Sequence, residues 1–194
     1  MDTTIVIFGA SGDLTWRKLI PALYNNALKG RLSSGTRILG VARRDYSQES
    51  FRERLRTGVQ NFSPETYDEQ AWAQFAQRIA YFRDDLMAQE TYAALSKALE
   101  ELDGGKAQRI FYMATAPSLY IPIVQALGAC GLPDQAPSRV VVEKPFGHDL
   151  ESAQRLSQVL HQVFDESQIY RIDHYMGKED GAEHLVLPLC QRHL

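Results

Sequence analysis

Short runs of β-branched and apolar residues alternate along this chain with longer stretches in which apolar residues recur every three or four positions. Thr3-Thr-Ile-Val-Ile-Phe8 is an apolar run that stops at Gly9, as a buried strand does. Gly9-Ala-Ser-Gly12 turns the chain, and Asp13 is placed to cap a helix. From Leu14 to Lys29, Leu19, Ile20, Leu23 and Ala27 share one helical face, with Gly30 as the stop. Arg37-Ile-Leu-Gly-Val-Ala42 reads as a second buried strand. Strand, glycine turn, helix and strand make a βαβ unit, whose crossover implies parallel strands.

The middle of the chain reads as helical. Phe51, Leu55 and Val59 sit four apart, and Trp72, Phe75, Ile79 and Phe82 follow a 3-4-3 spacing, as do Tyr92, Leu95, Leu99 and Leu102. Asp103-Gly-Gly-Lys106 breaks the run. Arg109 to Ala114 is a third strand, Ser118 to Leu127 a helix, and Arg139 to Glu143 a fourth strand. A further helix carries Ala153, Leu156, Leu160 and Val163 on one face, and Gln168 to Ile172 is a short fifth strand. There is no internal repeat and no low-complexity segment. The pattern predicts an α/β fold with a doubly wound, Rossmann-like parallel sheet.

Composition narrows the class. The chain has 194 residues, with 21 Lys+Arg against 24 Asp+Glu for a net charge of −3. That slight acidity offers no basic field for nucleic acid. No apolar run reaches the roughly 18 residues of a membrane span, and Ile5 to Phe8 is too short for a signal peptide. Two cysteines, Cys130 and Cys190, are too few for a disulfide framework, so a cytoplasmic, reducing setting is expected.

Gly9 and Gly12 after the first strand suit a phosphate-binding turn, because small residues let backbone amides approach a pyrophosphate at a helix N-terminus. The spacing is G-x-x-G-D-L rather than G-x-G-x-x-G, so an ordinary glycine turn stays open on this feature alone. At the end of the second strand, where an NAD-binding fold carries an acid, the chain has Arg43-Arg44. Guanidinium groups pair with a 2′-phosphate, which points to NADP; without the glycine turn they would read as two solvated arginines.

Three segments resemble the glucose-6-phosphate dehydrogenase family: Gly9-Ala-Ser-Gly-Asp-Leu-Thr-Trp-Arg-Lys-Leu19, Glu143-Lys-Pro-Phe-Gly147, and Arg171-Ile-Asp-His-Tyr-Met-Gly-Lys-Glu179. Phe111-Tyr-Met-Ala114 and Gly40-Val-Ala-Arg43 are similar to its intervening cofactor segments, and the resemblance runs in order from residue 4 to 179. Trp16 departs from the basic residue expected at its position. The resemblance implies oxidation of D-glucose 6-phosphate to 6-phospho-D-glucono-1,5-lactone with reduction of NADP, the entry to the oxidative pentose phosphate pathway. By the same resemblance, Gly9, Ser11, Gly12, Asp13, Leu14, Arg43, Arg44, Ala114 and Lys144 face the cofactor. His174, Tyr175 and Lys178 bind the 6-phosphate, for which imidazole, phenol and ammonium are suitable donors. Lys144, before a cis proline, contacts substrate near the reacting hydroxyl. Lys18 is matched to a substrate-side lysine, though a solvated helix lysine reads equally well. Asp173 orients a catalytic histidine that lies further along the family's chain, in its second domain. His148 and His161 do not match that base, and no metal site is expected.

The resemblance also implies a large second domain and homo-oligomers, from a chain more than twice this length. Residues 1–179 are expected to form the NADP-binding domain with the start of the substrate pocket, and 180–194 a tail unlike the family. Asp180 to His184 can be written GAC GGT GCA GAA CAT, which shifted by one base reads Thr-Val-Gln-Asn, a family-like continuation. Cys190 to Leu194 shifts in the same way to Ala-Asn-Ala-Ile. The expectation is a one-nucleotide insertion near the codon for Glu179, leaving an inactive fragment without the catalytic histidine. Two rivals remain: another sugar dehydrogenase sharing Glu-Lys-Pro, and a non-catalytic NADP-binding fragment.

Overall fold

Six strands, β1 (Thr3–Phe8), β2 (Arg37–Ala42), β3 (Ile79–Arg83), β4 (Gln108–Met113), β5 (Ser138–Glu143) and β6 (Ile169–Ile172), form one sheet in a computed structural model that describes residues 2–172. Their order is β3-β2-β1-β4-β5-β6, and every neighbouring pair is parallel. All six strands therefore end on the same edge. The winding direction reverses between β1 and β4, which opens a crevice at the carboxyl ends of those strands.

The continuous apolar strands are buried on both faces, as a parallel sheet requires. On one face Ile5, Ile7, Ile38 and Ile110 pack against α1 (Ile20–Leu28), α2 (Gln48–Phe62) and α3 (Glu69–Ala76). On the other, Val6, Phe8, Val41, Phe111 and Val142 meet α4 (Glu90–Asp103), α5 (Tyr120–Ala129) and α6 (Leu150–Val163). The expected doubly wound sheet is the fold observed.

Three local expectations are corrected. The 3-4-3 spacing of Trp72, Phe75, Ile79 and Phe82 reads as one helix, but α3 stops at Ala76 and Ile79–Arg83 is a sixth strand. Within β3 the buried residues are Ile79 and Tyr81, the alternation of a strand, while Phe82 is half-buried. Second, Asp13 is no N-cap. It lies in the first helical turn, and its carboxylate accepts from Arg17 Nη1 at 3.2 Å on the surface. Third, the helix from Leu14 is not uniformly α: Thr15–Leu19 is a π-helical turn closed by the Ile20 amide on the Thr15 carbonyl. Pro21 follows at the start of α1, and a wider turn accommodates a residue that has no N–H to give the preceding carbonyls.

Candidate functional site

The turn after β1 is shaped by what it lacks. Gly9 has φ +80°, and a β-carbon on it would stand 2.5 Å from the Ala114 carbonyl oxygen. Only glycine lets the ends of β1 and β4 come this close. The amides of Gly9 and Ala10 both donate to the Val41 carbonyl, at 2.9 and 3.2 Å, and the Gly12 amide donates to Gly9 at 2.9 Å. Those three amides are spent on the turn. Among the described residues the Ser11 amide has no backbone acceptor, and the Asp13 and Leu14 amides open a helix, where no intrahelical acceptor exists. The donors left for an anion are therefore Ser11, Asp13 and Leu14, while Gly9 and Gly12 contribute space. Beside this turn the hydroxyls of Thr15 and Thr115 are buried with no partner among the described residues.

At the end of β2, Arg43 and Arg44 are both exposed. Arg44 Nη1 reaches the Tyr46 hydroxyl at 3.5 Å, and that contact holds its guanidinium above its ordinary range. The Arg44 carbonyl accepts from the Tyr81 hydroxyl at 2.6 Å. Arg83 is taken by Asp45 at 2.7 Å. Arg43 has no ion-pair partner among the described residues, so it is the cation with no competing contact at this strand end.

β5 ends in Glu143-Lys144-Pro145, and the Lys144–Pro145 peptide bond is cis, as expected. Lys144 is exposed, and its amide donates to the Ile172 carbonyl at 3.2 Å. This pairing continues the β5–β6 register, in which Glu143 faces Ile172, and sets Lys144 beside the end of β6. Glu143 itself is buried, and its carboxylate accepts from the hydroxyl of the equally buried Tyr112 on β4. The Tyr120 hydroxyl donates to the Glu143 carbonyl at 3.3 Å.

The carboxyl edge thus carries Gly9, Ser11, Gly12, Asp13, Leu14, Arg43, Arg44, Ala114 and Lys144, each at the end of β1, β2, β4 or β5. Lys18 is exposed on the π-helical turn, and nothing on the described surface distinguishes it from a solvated lysine. Asp173, His174, Tyr175, Lys178 and the 180–194 tail lie outside the described residues. Sequence reasoning passes over Tyr112 and the Glu143 side chain. The signal that could find them is an acid closing the otherwise apolar strand Val140-Val-Val-Glu143, with a tyrosine among the apolar residues of the preceding strand.

The arrangement fits a dinucleotide: free first-turn amides for a pyrophosphate, a glycine cradle that a β-carbon would fill, and a guanidinium beyond it. Comparison with known proteins shows the family. The family described as "Glucose-6-phosphate dehydrogenase, NAD binding domain" matches residues 6–180. The glucose-6-phosphate 1-dehydrogenase of Chlamydia pneumoniae is 43% identical over 184 residues, covering 90% of this chain and 36% of that protein. That of Mycolicibacterium smegmatis is 44% identical over 184 residues, 93% of this chain and 37% of that protein. A solved glucose-6-phosphate dehydrogenase in complex with glucose 6-phosphate superposes with a TM-score of 0.81 at 37% identity, over 91% of this chain and 37% of that one. The Mycobacterium avium enzyme gives 0.79 at 35%, over 89% and 36%. The chain spans a little over a third of the length of these relatives.

Proposed function

Because this chain belongs to the glucose-6-phosphate dehydrogenase family, we propose that it is the part that binds NADP and begins the glucose 6-phosphate pocket. The observation that carries this reading is the carboxyl edge, which gathers the Gly9 turn, Lys144 and an Arg43 with no ion-pair partner among the described residues. When bound there, NADP would supply the hydride acceptor for oxidation at C1 of the sugar. The amides of Ser11, Asp13 and Leu14 hold the pyrophosphate, with the helix dipole behind them. Arg43 pairs with the 2′-phosphate, so NADP is preferred to NAD. Lys144 holds the sugar near its reacting hydroxyl, and His174, Tyr175 and Lys178 hold the 6-phosphate. Asp173 orients a histidine supplied from the part of the relatives that this chain does not match. A cytoplasmic setting belongs to the same reading. Among the described residues no helix is long and apolar enough to cross a membrane.

The general base is assigned to that unmatched part, and loss of a base costs about 10²–10⁴-fold. Purified 1–194 is expected to bind NADP and to produce no NADPH from glucose 6-phosphate above a no-enzyme control. Steady NADPH production would refute the need for the further residues. Absence of NADP binding, in a chain shown by circular dichroism to be folded, would refute the cofactor assignment.

A further inference from the structure

Glu143 is the lone acid at the end of an apolar strand, and it is only 6% exposed. A carboxylate in such a place is costly unless donors meet it. Tyr112, 4% exposed on the neighbouring strand and the same sheet face, supplies one through its hydroxyl. The Glu143 backbone is held as well, by Tyr120 from the first turn of α5. Two tyrosines from different elements thus grip the residue that is peptide-bonded to Lys144.

We propose that Tyr112 is a positioning residue for Lys144: by anchoring the Glu143 carboxylate it fixes the strand end from which Lys144 projects toward the nicotinamide half of the cofactor. This rests on the dinucleotide reading above. Burial, and then the Glu143 carboxylate, push the Tyr112 hydroxyl well above the usual phenol range, so it remains a donor wherever the chain is folded. Removing that donor takes a hydrogen bond from the buried carboxylate. The side chain then shifts from the position Tyr112 gives it, and Lys144 moves with its neighbour.

The test compares wild type and Tyr112→Phe for binding of NADP and of 2′,5′-ADP, which carries the 2′-phosphate but no nicotinamide. The expected result is unchanged 2′,5′-ADP affinity with NADP weakened roughly tenfold or more, the scale of one charged hydrogen bond. Equal NADP affinity, or equal losses for both ligands, would overturn the proposal, since a merely structural role does not separate the two halves. If wild type binds neither ligand, the dinucleotide reading fails by itself. The NMR signals of the Lys144 side chain then decide. They are expected to shift in Tyr112→Phe while those of Lys18 and Lys29 stay, and an unmoved Lys144 overturns the proposal.

Discussion

The carbonyl oxygen of Ala114 stands 2.5 Å from where a β-carbon on Gly9 would lie. This one approach joins the ends of β1 and β4 and sets the shape of the crevice between them. Gly9→Ala must move the Ala114 backbone or the turn, and also holds an L-residue at φ +80°. The backbone cost alone is about 1–2 kcal/mol. The variant is expected to unfold at lower urea and to lose NADP binding, read by equilibrium unfolding and by titration. Wild-type affinity would show that the turn does not depend on this approach.

Arg43 and Arg44 are neighbours with different surroundings, and they should not behave alike. Arg43→Ala is expected to weaken NADP tenfold or more and leave NAD almost unchanged, because a guanidinium–phosphate pair is roughly a 1.5–3 kcal/mol contact. Arg44→Ala, whose guanidinium leans on Tyr46, should cost less. Calorimetric titration with both nucleotides separates the cases, and equal loss of NADP and NAD in Arg43→Ala would remove the 2′-phosphate role.

Arg109 and Asp103 form a buried ion pair far from the carboxyl edge, with contacts of 3.1 Å from Nε and Nη2 and both side chains 1% exposed. Gln135 Oε1 takes the third donor at 3.1 Å. Breaking such a pair leaves an uncompensated buried charge, at about 3–5 kcal/mol. Arg109→Met should therefore be much less stable than wild type, and Arg109→Met with Asp103→Leu should recover most of the loss. A double-mutant cycle by urea unfolding checks the coupling.

Gly58 of α2 lies under the π-helical turn, and a β-carbon there would meet the Trp16 carbonyl oxygen at 2.4 Å. Alanine normally improves a helix interior by about 1 kcal/mol over glycine. Here the backbone contact outweighs that gain, and Gly58→Ala is expected to be destabilising by about 1–3 kcal/mol. Trp16 also packs edge-on against Phe62 at 5.1 Å and under the Arg54 guanidinium at 5.3 Å. Its fluorescence should shift in the variant; a more stable protein with unshifted emission would contradict the packing.

Burial raises the hydroxyls of Tyr92, Tyr112 and Tyr120 above the usual phenol range. Folding thus favours their protonated form, and the associated stability is complete below the unfolded value of about 10. Above that pH the unfolded chain releases protons that the folded chain keeps, so stability falls as pH rises. The urea midpoint is expected to hold up to about pH 9.5 and then decline, with these phenols ionising only on unfolding. Tyr92→Phe should flatten the decline, and an unchanged slope would remove Tyr92 from it.

Much of the candidate site is legible in the sequence, because it depends on residue types at fixed places along the chain. A glycine pair after a strand, arginines ending the next strand and Glu-Lys-Pro ending another each name a strand end, and parallel strands put those ends on one edge. Asp13 reads as an N-cap because a first-turn acid and a capping acid look the same in sequence; only the helix start tells them apart. Which amides stay free is equally hidden, since the Val41 carbonyl claims Gly9 and Ala10 from 32 and 31 residues away. Tyr112 and Glu143 escape for the same reason, being 31 residues apart.

The sequence by itself determined the sheet's class, its buried faces and the order of its chemistry, because local apolar periodicity and turn residues act over short distances. Tertiary structure alone decided β3. The apolar residues from Trp72 to Phe82 fit a helix, and an edge strand leaves one side of its backbone unpaired. Here α2 supplies what a further strand would. Gln48 donates to the Tyr81 carbonyl at 2.6 Å and accepts from its amide at 2.8 Å, and Arg52 donates to the Ile79 carbonyl at 2.9 and 2.7 Å. Those bonds satisfy the outer edge of Ile79–Arg83 as a strand, and they come from side chains 27 to 33 residues away, beyond the reach of any local pattern.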